Sequence, residues 1–250
     1  MQLLAAGFTW FNLVPGYAAF EENVSHMFGK TLTGEHVHSI THLTLSVLAT
    51  TIIMVAVALT RRQWAANGGA VPHGRFSVGN FIETIVDGVL GLSEQVLGSR
   101  KQAERFLPLV GTLAIYIFFH NALALIPGLF PPTDNLNVTV GPAIVVFVAT
   151  HYFGLKENGL HYLEHFLGPK IGGIPLLAPL FIVLELISHI ARPVSLSLRL
   201  FGNMFGDHAV LAIFLGLAAV PLLFPIPIMM LGTVVVVVQT LVFTLLTLVY

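Results

Sequence analysis

The stretch LLAPLFIVLELISHIARPVSLSLRLFGNMFGDHAVLAIFLGL, residues 176–217, decides the fold of this chain. Most of it is as apolar as lipid, but polar and charged side chains recur along it. They are Glu185, His189, Arg192, Arg199, Asn203, Asp207 and His208. A charge at bilayer depth costs about 2.5–3.5 kcal/mol even on insertion-based scales, so such residues face protein or water. Charged residues at this depth indicate a functional site.

The spacing of these side chains predicts one polar stripe along a single helix. At about 100° per residue, six of them fall within about 40° either side of one line. These six, called the polar stripe below, are Glu185, His189, Arg192, Arg199, Asn203 and Asp207. Pro193 predicts a kink, because it removes one backbone hydrogen bond, and Ser195 or Ser197 could help to repair the gap.

The composition of the whole chain predicts a membrane protein. Of its 250 residues, 56 % are apolar and only 9 % are charged, whereas a globular domain carries about 25 % charged residues. This excludes a soluble enzyme and a disordered chain, and the net charge of −1 excludes a basic nucleic-acid binder. With no cysteine, the chain has neither disulfides nor thiolate metal ligands. We therefore expect an all-α polytopic membrane protein.

A membrane-spanning helix needs about 20 largely apolar residues, and about five segments qualify. They are residues 41–60, 106–130, 138–155, 176–220 and 225–250. We expect residues 41–250 to form a single membrane domain and residues 1–40 an external or interfacial segment, with a short interfacial or re-entrant helix in its first half. Helical spacing of apolar residues over about 76–99 predicts an amphipathic helix on the membrane surface.

The fourth segment is too long for a perpendicular crossing. Some forty helical residues extend about 60 Å, twice the hydrocarbon thickness of about 30 Å. The C-terminal helical hairpin should therefore be steeply tilted, which spreads the polar stripe across the middle of the membrane. That geometry suits a lateral partner better than a pore along the helix.

Basic residues predict the orientation. The loop between the first two spans carries Arg61, Arg62, Arg75, Arg100, Lys101 and Arg105, and Lys156 and Lys170 lie between spans three and four. Cytoplasmic loops are enriched in Lys and Arg. The N-terminus is therefore expected outside and the C-terminus in the cytoplasm.

Several motifs carry a resemblance to a known family. The runs ARPVSLSLRLFGNMFGDH (191–208) and QTLVFTLLTLVY (239–250) resemble subunit a of the F-type ATP synthase. PHGRFSVGNFIETIVDGV (72–89), FFHNALALIPG (118–128) and PTDNLNVT (132–139) match in the expected order. The resemblance covers about residues 70–250, and SLxLRLFGNM is highly specific to that family.

The resemblance implies a proton-translocating stator in a bacterial inner membrane, without a cofactor or metal and without catalytic chemistry of its own. Its partners would be the rotating c-ring, the peripheral-stalk b subunits and the lipid bilayer. Two half-channels would meet near one essential arginine, which corresponds to Arg199. A guanidinium attracts a ring carboxylate but never relays a proton, so it blocks a leak between the half-channels.

The resemblance also implies a proton path through other polar positions, namely Glu185, Asn203, His208, Gln239 and Asn121. Some members pair the His208 position with an acid on the last helix, where this chain has Gly232, and some carry an Asp where this chain has Ala124. The inlet relay is therefore left open among Asp207, His208, His120 and water.

Two other classes of protein remain as alternatives. HYLEH (161–165) spells a zinc-peptidase signature, and EHVHSITH (35–42) is rich in imidazole; an intramembrane metalloprotease would need the first of these at membrane depth. A stand-alone secondary transporter would show repeated halves with broken helices. HYLEH is expected in a short cytoplasmic loop instead of at membrane depth, and the sequence shows no repeated halves. Proton conduction or proteolysis by the purified chain alone would favour these alternatives.

Overall fold

The apolar runs of the sequence form helices in the computed structural model, which describes residues 10–28, 41–66, 77–126, 129–159, 178–217 and 225–250. All regular secondary structure in these ranges is helical. The α-helices are α1 (Tyr17–Phe28), α2 (Thr41–Ala66), α3 (Val78–Leu97), α4 (Arg100–Ala122), α5 (Leu136–Asn158), α6 (Ala178–Leu217) and α7 (Pro225–Val249). Short 3₁₀ helices occupy Trp10–Leu13, Leu123–Leu125 and Pro132–Asp134.

Within the described residues, four segments are long and apolar enough to cross a membrane. They are Thr41–Ala65, Arg100–Leu125, Leu136–Glu157 and Met229–Val249. The predicted all-α membrane fold is thus confirmed. A crossing by α6 and a steep tilt of α6 and α7 stay predictions, compatible with helix lengths of 40 and 25 residues.

Observed helix bounds differ from the predicted spans where charged residues flank the apolar core. Helix α2 continues through Arg61 and Arg62, and α4 begins at Arg100 and ends at Ala122. The predicted spans were 41–60 and 106–130. The charged extensions arise because hydropathy marks only the apolar part of a helix, whereas the helix continues where its side chains can be solvated. The earlier end of α4 has another cause: its chain continues as a 3₁₀ helix at Leu123–Leu125, shortly before Pro127.

The predicted amphipathic helix is α3, and its apolar face packs against α4. Ser77 caps its N-terminus by accepting a 3.3 Å hydrogen bond from the backbone N–H of Asn80. Gly98 ends it with a positive φ of 68° and donates to the carbonyl of Glu94, a conformation that favours glycine. Val89 is buried against α4. The turn at Gly98 ends α3 two residues before α4 begins at Arg100.

The core joins α4, α5, α6 and α7, the helices that carry most of the motifs resembling subunit a. Its buried members are Leu113 and Ile117 of α4, Ala143 and Val146 of α5, Leu196 and Leu200 of α6, and Phe243 of α7. Lipid tails are as apolar as these side chains, so close van der Waals packing is the main force between the helices. The hydroxyl oxygens of Ser197 and Thr139 lie 3.1 Å apart and link α6 to α5, while α6 stays helical through Pro193.

Candidate functional site

The polar stripe of α6 follows the border between its buried and exposed faces. Leu200 and Met204 are buried, whereas Arg199 and Asn203 are exposed. Leu198, directly before Arg199, and Phe205, two residues after Asn203, are exposed apolar residues on the outer surface of the helix. The middle of the stripe therefore faces away from the core of this chain.

Arg199 is a cation without an anionic neighbour in the described part of the chain. None of the ion pairs found among the described residues involves it. Next to it the rings of Phe201 and Phe205 stack at 5.5 Å. An unpaired charge is costly at membrane depth, so a counter-ion from outside the described residues would stabilise Arg199 there.

One turn beyond Arg199, α6 is tied to α7 by a polar contact. The Asn203 side-chain amide donates to the Gln239 amide oxygen at 2.5 Å. Gln239 is only 2 % exposed. Both positions were predicted to lie on the proton path, and the fold brings them together beside the arginine.

The next contact between α6 and α7 depends on a glycine. A Cβ atom added to Gly232 would lie 3.1 Å from a carboxylate oxygen of Asp207. Gly232 is the position at which some family members carry an acid. Because glycine has no side chain, the space beside it is free for the Asp207 carboxylate of α6.

His208 lies in a cluster that sequence reasoning did not predict. Its Nδ1 is 3.8 Å from Oδ2 of Asp134, and Nδ1 of His42 is 2.9 Å from Oδ1 of the same carboxylate. The ring of Phe130 lies 5.1 Å from the His208 ring. The start of α2, the 3₁₀ helix before α5 and the second half of α6 therefore meet at one carboxylate.

A second set of buried contacts connects α4 to the same cluster. The Thr133 hydroxyl donates to the side-chain oxygen of Asn121 at 2.6 Å. The adjacent His120 lies 3.2 Å from the hydroxyl of Ser46 through Nε2, and its Nδ1 is 2.8 Å from the carbonyl of Tyr116. Both His120 and Asn121 are completely buried. The predicted position Asn121 is therefore next to Asp134 through Thr133.

The other end of the polar stripe borders a cavity of about 480 Å³. Glu185, His189 and Arg192 line it. His189 Nδ1 lies 2.9 Å from the Glu185 carbonyl and 3.4 Å from its carboxylate, and the Arg192 guanidinium lies over the Tyr250 ring at 5.3 Å. Because the cavity combines polar side chains with open volume, water can reach the carboxylate of Glu185.

The fold separates the predicted site residues into two groups. Glu185 forms the first group, at the cavity end of the polar stripe. The second group lies beside Arg199 or on its other side and comprises Asn203, Asp207, His208, Gln239 and Asn121. His42, Asp134, Thr133 and Ser46 were missed, although EHVHSITH and PTDNLNVT contain three of them. Among the described residues no group of His, Asp or Glu has a geometry that could hold a metal ion; the HYLEH sequence and the other imidazoles of EHVHSITH lie outside those residues.

Comparison with known proteins agrees with these observations. The ATP synthase A chain family matches residues 43–250. ATP synthase subunit a of Sorangium cellulosum is 42 % identical over 241 residues, which is 95 % of this chain and 90 % of the relative. The Geobacter sulfurreducens protein of the same name is 46 % identical over 181 residues, 72 % of this chain and 74 % of the relative. That of Trichlorobacter lovleyi is 48 % identical over 180 residues, with the same shares. The resemblance indicated by the motifs is confirmed, and the chain belongs to the ATP synthase A chain family.

Proposed function

We propose that this chain is the proton-translocating stator of an F-type ATP synthase and that Arg199 is its essential cation. Membership of the family makes it a component of the ATP synthase, in ATP synthesis and proton transport. The observation that carries the finer proposal is the exposed guanidinium of Arg199, unpaired within the described chain. A deprotonated carboxylate on a neighbouring ring subunit would complete this charge.

Arginine suits this position because its guanidinium stays charged under all protein conditions. It attracts a carboxylate that has lost its proton, but it cannot accept that proton itself. A lysine could lose its charge when desolvated, so it is a poor substitute. Protons must therefore travel on the ring instead of passing Arg199.

The two ends of the polar stripe provide the two half-channels in this proposal. At a rise of 1.5 Å per residue, Glu185 lies about 21 Å before Arg199 along α6, and Asp207 lies about 12 Å beyond it. The first end opens into the cavity of about 480 Å³. The second end meets the buried cluster around Asp134. Asn203 and Gln239 lie between that cluster and Arg199.

The assembly and orientation are part of the same proposal. The chain lies in a bacterial inner membrane against the c-ring, with b subunits of the peripheral stalk and lipid around its other surfaces. The positive-inside pattern supports an N-terminus outside and a C-terminus in the cytoplasm. This orientation assigns Glu185 to the cytoplasmic half-channel and His208 to the outer one.

Replacing Arg199 tests the proposal. In vesicles that contain the whole ATP synthase, Arg199→Ala should abolish ATP-driven acidification and proton-driven ATP synthesis while the complex still assembles. Arg62→Ala removes an exposed arginine of α2 and serves as the control, with normal activity expected. Near-normal acidification by assembled Arg199→Ala complexes would contradict the role proposed for this residue.

A further inference from the structure

We propose that His42 and Asp134 form the proton entrance that supplies His208 and Asp207. This inference rests on the proposed function and adds two residues to it. The entrance opens on the side of the membrane where α2 begins. Its substrate is a proton delivered by water, and its components come from three separate elements of the chain.

The His42 side chain is more exposed than the other two groups of the cluster. The His42 side chain retains 32 % of its accessible surface, Asp134 14 % and His208 15 %. His42 lies in the first turn of α2, where a membrane helix reaches the aqueous interface. His42 is therefore the group nearest to water. Asp134 contacts both histidines and so lies between His42 and His208, and His208 is adjacent in sequence to Asp207.

The cluster also contains buried polar atoms that lack a hydrogen-bond partner within the described chain. They are Nδ1 of His42, Oδ1 of Asp134, Nδ1 of His208 and the side-chain nitrogen of Asn121. The distances from Asp134 to His42 (2.9 Å) and to His208 (3.8 Å) are short, but neither contact has the geometry of a hydrogen bond. Buried polar groups are nearly always satisfied, and a buried water makes about three hydrogen bonds. These atoms therefore mark positions where water would bridge the side chains.

The chemistry of the three side chains suits proton transfer. An imidazole accepts a proton on one ring nitrogen and releases another from the second nitrogen. His42 would take a proton from water at Nε2 and release the Nδ1 proton to the carboxylate of Asp134. Asp134, now neutral, would pass its proton through water to Nδ1 of His208, and His208 would release one from Nε2. One proton enters and one leaves, and every group recovers its first charge. Each imidazole is left as its other tautomer, and it exchanges protons with water between its two ring nitrogens before the next transfer.

The same contacts could instead only hold α2 against the 3₁₀ helix. The two roles make different predictions, because a structural contact needs a side chain of suitable size, whereas a relay needs a group that can exchange a proton. His42→Gln keeps hydrogen-bonding capacity but does not titrate. His42→Ala opens space that free imidazole can occupy.

The experiment uses the complete ATP synthase in sealed vesicles and measures ATP-driven acidification. His42→Ala and His42→Gln should assemble and lower the rate about a hundredfold, at the lower end of the range that a positioned proton-transfer group contributes. Millimolar imidazole should restore much of the rate of His42→Ala but not that of Asp134→Asn. Thr41→Ala is the matched control, since it removes the neighbouring hydrogen bond to Glu21 and should pump normally.

Normal pumping by either assembled His42 variant would overturn the entrance. If only His42→Ala loses activity and imidazole does not restore it, the contact has the structural role instead. Arg199→Ala is measured in the same preparation. If it stops pumping while the His42 variants do not, the entrance is wrong and the proposed function stands. If Arg199→Ala pumps normally, the proposed function itself is wrong.

Discussion

The surroundings of α6 differ between its Glu185 end and its His208 end. Around Glu185 the side chains line an open cavity of about 480 Å³. Around His208 polar groups from α2, α4 and the 3₁₀ helix before α5 are packed together, with contacts of 2.9 Å at Asp134 and 2.6 Å at Thr133. Arg199 lies between the two ends, on an exposed face.

This difference teaches how much each end depends on individual side chains. Water in an open cavity can carry protons whatever the identity of most lining residues. A packed cluster conducts only through the groups that fill it. Substitutions should therefore be tolerated at the Glu185 end and harmful at the His208 end.

The largest expected effect is a difference in the side of the membrane from which each end can be labelled with a thiol reagent. The chain has no native cysteine, so single cysteines can be introduced cleanly. Glu185→Cys should react with a membrane-impermeant thiol reagent from the cytoplasm, and Asp207→Cys or His208→Cys from outside. Leu198→Cys and Phe205→Cys, on the exposed apolar face, should react at least about tenfold more slowly, because the reactive thiolate does not form in lipid.

Equal labelling of all these cysteines from one side would mean a single continuous pore. The comparison between the two ends would then be wrong, and so would the two-half-channel mechanism. The labelling is measured on intact cells and on inverted vesicles, with assembly of the complex checked in each variant.

A smaller effect is expected where α6 approaches α7. Gly232→Ala places a Cβ atom 3.1 Å from the Asp207 carboxylate, so the carboxylate must move by a few tenths of an ångström. We expect a reduction of pumping by a factor of a few and a stability change of about 1 kcal/mol or less. Pumping rates and thermal inactivation of the complex would measure both.

Gly141→Ala is the control for this change, since a Cβ there meets nothing within 4 Å. It tests the general effect of replacing a helical glycine by alanine. If both variants pump equally well, the position of the Asp207 carboxylate does not limit conduction at the packed end.

The smallest effect is expected at the mouth of the cavity. Arg105 pairs with Glu157 at 2.5 Å, and both side chains are about half exposed. Exposed ion pairs contribute about 0–1 kcal/mol. Arg105→Ala should therefore leave pumping near the unmodified rate and shift thermal inactivation only slightly. A loss as large as that of His42→Ala would show that the cavity end is also sensitive to single side chains.

Local sequence signals predicted much of the fold. The bounds of α6 and α7 lie close to those expected, because both segments are long and apolar with few interruptions. The polar stripe follows directly from helical spacing. Periodicity does not tell which edge of the stripe is buried, and the exposure of Arg199 beside buried Leu200 depends on how α5 and α7 pack against α6.

Contacts between distant parts of the chain were beyond this reasoning. His42, Asp134 and His208 come from three elements far apart in sequence, and neither hydropathy nor spacing relates them. Each is unremarkable alone. The departures at Gly232 and Ala124 left the inlet open among Asp207, His208, His120 and water, and pointed to neither His42 nor Asp134.

The polar stripe also bears on how the protein enters the membrane during synthesis. Each Asp or Arg near the bilayer centre opposes insertion by about 2.5–3.5 kcal/mol, and α6 carries Glu185, Arg192, Arg199 and Asp207. Helix α7 contains no charged residue, but the ribosome makes it after α6. The helix that carries the site is thus the one least able to integrate alone. We expect its entry to depend on neighbouring helices that shield its polar edge, which would couple insertion to assembly.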